Sequence, residues 1–166
     1  MALYTLHMGR VGSGFQMASG GSVGDPKNPF SKGTIALQYP YLKLRGLDLE
    51  AEIPGLHWGT VNIELAHELL MLNPDFPVDQ LDWASEEPNP EARVAPEDFW
   101  FARCGVGYAG RFYSGLIYYP HPRTKPSTNA HNYAVIEVLT QRIEGLTKGE
   151  PISVHCRSDV FGPRPA

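Results

Sequence analysis

From Gly59 the chain reads GTVNIEL, and its residues alternate without a break. Thr60, Asn62 and Glu64 are polar, while Val61, Ile63 and Leu65 are apolar. Period two puts residues i, i+2 and i+4 on one face of a half-buried strand. Thr60 and Asn62 therefore share a face, and their two side-chain oxygens either meet water or hold something. The stretch GTIALQYPYLKL from Gly33 also alternates and reads as a strand. Gly33-Thr34 recurs as Gly59-Thr60, which suggests two similar strands of a pseudo-symmetric barrel.

The rest of the chain is punctuated by 17 glycines and 15 prolines, without a period and with abundant aromatic residues. That combination reads as a loop-rich β domain rather than disorder. YTLHMGRVGSG is a strand running into a glycine turn. Residues 15–33 form an extended Gly/Ser/Pro-rich loop, and a loop that long is usually functional. Between Glu86 and Pro96 the chain turns acidic and proline-rich, which predicts an exposed connection without regular structure.

FWFARCGVGYAGRFYSGLIYYP reads as a hairpin. Its GVGYAG matches G-x-G-x-x-G, but a dinucleotide fingerprint needs a helix after it, and RFYSGLIYYP is strand-like. YAVIEVLT is a further strand, followed by a short helical turn around Thr140 to Leu146 and a last strand from Ile152 to His155. The tail 157–166 is expected to fray. The expected fold is mainly β: one small closed β-barrel over residues 1–166, with short helical segments and long loops.

A net charge of −4 argues against a nucleic-acid partner bound by phosphate neutralisation, and against a polybasic membrane anchor. No apolar run approaches a membrane span. Two cysteines, Cys104 and Cys156, make no disulfide framework and no C-x-x-C zinc motif, so a reducing cytoplasmic setting is expected. The six histidines form no H-x-H or H-E-x-x-H pattern. No Walker A motif and no G-x-S-x-G elbow between a strand and a helix appears either.

A wet face is the plain reading of Thr60 and Asn62. The functional one is chemically specific. Magnesium prefers hard oxygen ligands, keeps several waters, and is often held by one or two protein groups plus substrate phosphates. Two neutral oxygens would hold bare Mg²⁺ poorly, but would meet a metal arriving on a nucleotide. GRVGSG could then offer backbone N–H groups to the phosphates, since glycine lets the backbone approach closely.

Four segments then line up in order: GRVGSG (9–14), GTIALQYPYLKL…PGLHWGTVNIEL (33–65), FYSGLIYYPHPRT (112–124) and VIEVLTQRIEGLTKGEPISV (135–154). Together they resemble the archaeal-type CTP-dependent riboflavin kinases, whose fold is a cradle-loop β-barrel. The resemblance covers most of the chain and is most specific in GTVNIEL and VIEVL…KGEPISV. It implies a nucleotide-binding loop at Gly9, Arg10, Val11, Gly12, Ser13 and Gly14, with Arg142 near the nucleotide. It implies Thr60 and Asn62 as magnesium ligands, and Thr124 and Glu137 as flavin contacts. The chain departs from the family pattern at Phe15 and Gln16, which replace a second glycine pair and open the insertion to Gly33. It departs again at Leu139-Thr140, where the family has Ala-Pro.

The implied activity is Mg²⁺-dependent phosphoryl transfer from a nucleoside triphosphate, CTP first, to riboflavin or a similar small hydroxyl acceptor. The rewritten glycine loop supports an alternative, a non-catalytic nucleotide- or small-molecule-binding or regulatory module on the same barrel. A histidine- and carboxylate-based metalloenzyme on another β-barrel is a more remote reading.

Overall fold

A computed structural model describes residues 1–13, 19–125 and 131–166. Strand β1 (Tyr4–Val11) is followed by helices α1 (Thr34–Leu44) and α2 (Leu49–Glu52). Strands β2 (Val61–Glu64), β3 (Leu69–Met71) and β4 (Phe76–Leu81) come next, then a 3₁₀ turn at Pro90–Ala92. The hairpin β5 (Glu97–Tyr108) and β6 (Arg111–Pro120) follows, then β7 (Val135–Thr140), β8 (Pro151–Arg157) and β9 (Phe161–Pro163). The chain is mainly β, as its alternation predicts.

Six strands close an antiparallel barrel in the order β5-β6-β7-β2-β1-β8, with β8 pairing back onto β5. Closure works because β5 changes partner along its length. Phe99–Phe101 lie against β4, and Cys104–Gly107 lie against β8. The two-residue turn Ala109-Gly110, both with positive φ (49° and 75°), joins β5 to β6. That backbone suits the right-handed twist of a tight hairpin. GVGYAG is thus strand and turn, as expected.

The barrel wall is buried on two sides. Ile63, Val106, Ile117, Ile136, Val138, Ile152 and Val154 fill the interior. On the outer face of β5, β6 and β7, Phe99, Phe101, Leu116, Tyr118 and Leu139 pack under a cover. That cover brings Ile35 and Leu42 of α1, Leu49 of α2, Val78 and Leu81 of β4, and Trp83, Ala84 and Ala92. Strands buried on both faces read as nearly continuous apolar runs, which is how SGLIYYP reads. By contrast β1 keeps one face to solvent and alternates along its whole length.

Four expectations fail. The 34–44 stretch is a helix and not a strand, so GTIALQ does not repeat GTVNIEL. Its buried positions are Thr34, Ile35, Gln38 and Leu42, a helical spacing. No helical turn forms at 140–146. Thr140 ends β7, Gln141 bridges Leu56, and Gly145 takes a positive φ of 74°. The 86–96 connection is not wholly exposed, since it carries a 3₁₀ turn and buries Ala92. The C-terminus is not frayed from 157, because β9 pairs with β3 and Val160 is fully buried. No helix among the described residues is long and apolar enough to cross a membrane.

Candidate functional site

Strand β2 places Ile63 inside the barrel and Asn62 outside it, and Asn62 stands directly opposite Glu137 of β7. Tyr118 of β6 stands on the other side of Glu137. This outer face of the wall is covered by α1 and not by water, and Tyr118 Oη donates to Gln38 Oε1 at 3.1 Å. The cover stops short of β2. There a cleft of about 1250 Å³ opens between the wall and the segment 19–33, lined by Thr60, Asn62 and Glu137 on one side and Ser19, Lys27 and Phe30 on the other. A smaller cavity of about 220 Å³ adjoins it, lined by Tyr119, His131 and Tyr133. Ser13, Asn62, Tyr118, Lys125 and Glu137 line both, so the two are lobes that meet at those residues.

At the junction three oxygens converge. Thr60 Oγ1 donates to Glu137 Oε1 at 3.1 Å and lies 3.4 Å from Asn62 Oδ1. Period two gave Thr60 and Asn62 a common face, and the barrel register adds the carboxylate across from them. Burial raises the Glu137 pKa, against the opposing pull of Lys125 and of the Thr60 hydroxyl. Burial likewise raises Glu97, which accepts from Trp83 Nε1 at 3.0 Å and lines the larger lobe. Lys125 is pushed down by burial and held up by Glu137 and Glu97. Burial of His131 takes it down to about 4, so the smaller lobe is walled by a neutral imidazole and two tyrosines.

The glycine run contributes less than its sequence suggests. Val11, Gly12 and Ser13 line the larger lobe. Arg10 points elsewhere, its Nη1 donating to the Gly149 carbonyl at 2.9 Å. Gly9 is a packing glycine: a Cβ there would come within 2.6 Å of the Glu64 carbonyl on β2. Gly14 lies outside the described residues. Arg142 is exposed on the rim of the larger lobe. Thr124 does not line either lobe. Its hydroxyl accepts the Asp98 backbone N–H at 2.8 Å, which ties the loop after β6 to the start of β5.

Lys125, Glu97, Trp83, Phe30 and Gln38 are cleft residues that sequence reasoning missed. Nothing in their spacing marks them, because they come from a loop, a strand end, two connections and a helix. Among the described residues no group of three or more His, Cys, Asp or Glu side chains is placed to hold a metal ion. Thr60 and Asn62 do fit a magnesium ion that arrives with phosphates. Both donors are hard oxygens, and their 3.4 Å separation compares with the ~3 Å edge of an octahedron built on bonds of roughly 2.1 Å. Compared with known proteins, the chain matches no family model, and no curated protein is significantly similar to it.

Proposed function

We propose that this barrel catalyses Mg²⁺-dependent phosphoryl transfer from a nucleoside triphosphate, CTP first, to riboflavin or a similar small alcohol. The observation that carries the reading is the convergence of Thr60, Asn62 and Glu137 oxygens where two lobes of one cleft meet. A two-substrate transfer needs such a meeting point. The larger lobe alone exceeds the roughly 300–1,000 Å³ of a single small-molecule site. The resemblance of GTVNIEL and VIEVL to the riboflavin kinases assigns the same three residues.

Phosphoryl transfer asks the protein for positioning and charge neutralisation more than for covalent chemistry. Bound Mg²⁺ would supply charge compensation on the phosphate oxygens, with Thr60 and Asn62 as its protein ligands. Val11 to Ser13 border the phosphates along the β1 end of the cleft. Glu137 accepts a hydrogen bond from the acceptor hydroxyl and orients it. The hydroxyl oxygen bonds to the γ-phosphorus, and the bond from that phosphorus to the bridging oxygen breaks. The nucleoside diphosphate leaves with the electron pair, and the hydroxyl proton passes to Glu137 or to water. Tyr119, His131 and Tyr133 offer the smaller lobe flat walls for a ring system.

The test is chromatographic: riboflavin, Mg²⁺ and either CTP or ATP, with FMN as the product sought. Asn62→Ala is expected to lower Mg-nucleotide affinity at least about tenfold, the cost of one charge-assisted contact, with the melting temperature nearly unchanged. Undiminished affinity in that variant would refute the metal assignment. A binding module is the second reading. One feature favours it: the glycine loop is rewritten at Phe15 and Gln16, where the family pattern has a second glycine pair. Nucleotide binding without FMN would select it.

A further inference from the structure

Lys125 lines both lobes of the cleft, at the place where Asn62, Tyr118 and Glu137 also face both. It is half-buried, and its ammonium makes no ion pair within 4 Å and no hydrogen bond among the described residues. Three arginines outside the cleft behave differently. Arg103 is clamped on Glu52, Arg123 on Asp98, and Arg157 on Asp75. Burying a cation without a direct partner is costly. Glu137 and Glu97 act on it only at longer range.

The backbone that carries Lys125 is held firmly. The His121 N–H donates to the Asp98 carbonyl at 2.8 Å, the Asp98 N–H to Thr124 Oγ1 at 2.8 Å, and the Lys125 N–H to the His121 carbonyl at 3.2 Å. Arg123 Nε is paired with the buried Asp98 carboxylate. Thr124, with no place in the cleft, thereby acts as the anchor that positions its neighbour. Gln80, at a positive φ of 53°, is pinned by the same carboxylate, its backbone N–H donating at 2.7 Å. A half-buried cation on so constrained a loop is preorganised for an anion that enters the cleft.

We propose that Lys125 is a phosphate-binding residue, placing its ammonium on the polyphosphate of the nucleotide at the junction of the two lobes. The inference rests on the phosphoryl-transfer reading for its ligand. It adds the positive side chain that Thr60 and Asn62, both neutral, do not supply. Glu137 marks the acceptor side of the junction and Lys125 the donor side.

Inorganic tripolyphosphate with Mg²⁺, titrated calorimetrically, tests this apart from turnover. Lys125→Gln is expected to weaken tripolyphosphate binding roughly 10- to 100-fold, the range for losing a hydrogen bond to a charged group. Lys125→Arg should recover most of it, and Lys125→Gln should melt no lower than the parent protein. A structural lysine would give neither the charge-dependent rescue nor the unchanged melting. Equal tripolyphosphate affinity in the parent and Lys125→Gln proteins overturns the inference, as does no binding to the parent. FMN formation measured alongside separates the two readings. Lysine-dependent binding with no FMN from CTP or ATP would sink the riboflavin kinase reading and leave the phosphate site standing. FMN formed equally well by Lys125→Gln would sink the lysine alone.

Discussion

Glu137 is pulled by the fold and the site in opposite directions. The site uses it as an acceptor for Thr60, and burial penalises its charge. The sign of the consequence follows from linkage. A carboxyl whose pKa is raised on folding binds its proton more tightly in the native state. Stability contributed by the neutral form is present below the unfolded value of 4.5, and is lost as pH rises through the folded pKa. Glu137→Gln keeps an oxygen for Thr60 and removes the charge. It is expected to raise the melting temperature at pH 7 to 8, by about 2–4 °C for each ~1 kcal/mol relieved, with the gain vanishing near pH 4. Melting scans across that range check it, and a lower melting temperature at pH 7 would mean that the Lys125 attraction outweighs burial. At this scale the sequence was half legible. Alternation put Thr60 and Asn62 on one face, because strand geometry is local. Glu137 was reached only through the family resemblance, and Lys125 not at all. Its place depends on Asp98 gripping residues 121–124 from another strand.

Helix α1 shows why an element can be misread. In GTIALQYPYLKL the β-formers Thr34, Ile35, Tyr39 and Tyr41 favour a strand reading, and Pro40 argues against a helix interior. The helical stripe is hidden because two of its four buried positions are polar, Thr34 and Gln38, and Gln38 faces inward to bond Tyr118. What decides the structure is the cover this segment must provide for Phe99, Leu116 and Leu139, a tertiary demand that overrides propensity. Pro40 is exposed and lacks the N–H that would reach the Ala36 carbonyl one turn back. Pro40→Ala should therefore stabilise the protein by about 1–3 kcal/mol, up to the full helix-interior cost of proline. Thermal or urea unfolding reads that directly. A destabilised variant would mean that proline's stiffening of the unfolded chain matters more here than the missing hydrogen bond. The strands were easier. The hairpin β5–β6 and strands β1, β2, β7 and β8 carry their own alternation or apolar runs, and only their bounds shift.

The whole molecule is held by closures between distant parts of the chain. β8 joins the first strand to β5, and β9 seals one end by pairing with β3. RSDVFGPRPA reads as a fraying tail because it is polar, rich in proline, and offers only Val160 and Phe161 as large apolar residues. Sequence could not show that both have partners waiting. Val160 is fully buried, and its carbonyl accepts the Leu72 N–H at 2.7 Å. Phe161 packs edge-on against His7 of β1 and borders the smaller lobe. Gly162 leaves room for Leu72, whose Cδ1 would lie 2.7 Å from a Cβ. A chain ended after Arg157 loses all of this. Burial of Val160 alone is worth about 1.5–3 kcal/mol, and the unpaired edge of β3 adds to the loss. The shortened chain is expected to melt about 10 °C or more below the full one, on the scale of 2–4 °C per kcal/mol. A chain ended after Pro163 keeps β9 and should melt like the parent. If both truncations melt alike, the C-terminal strand does not stabilise the barrel. If only the shorter one falls, the wall of the smaller lobe depends on the last strand of the chain. Ligand binding in that lobe should then fall with it.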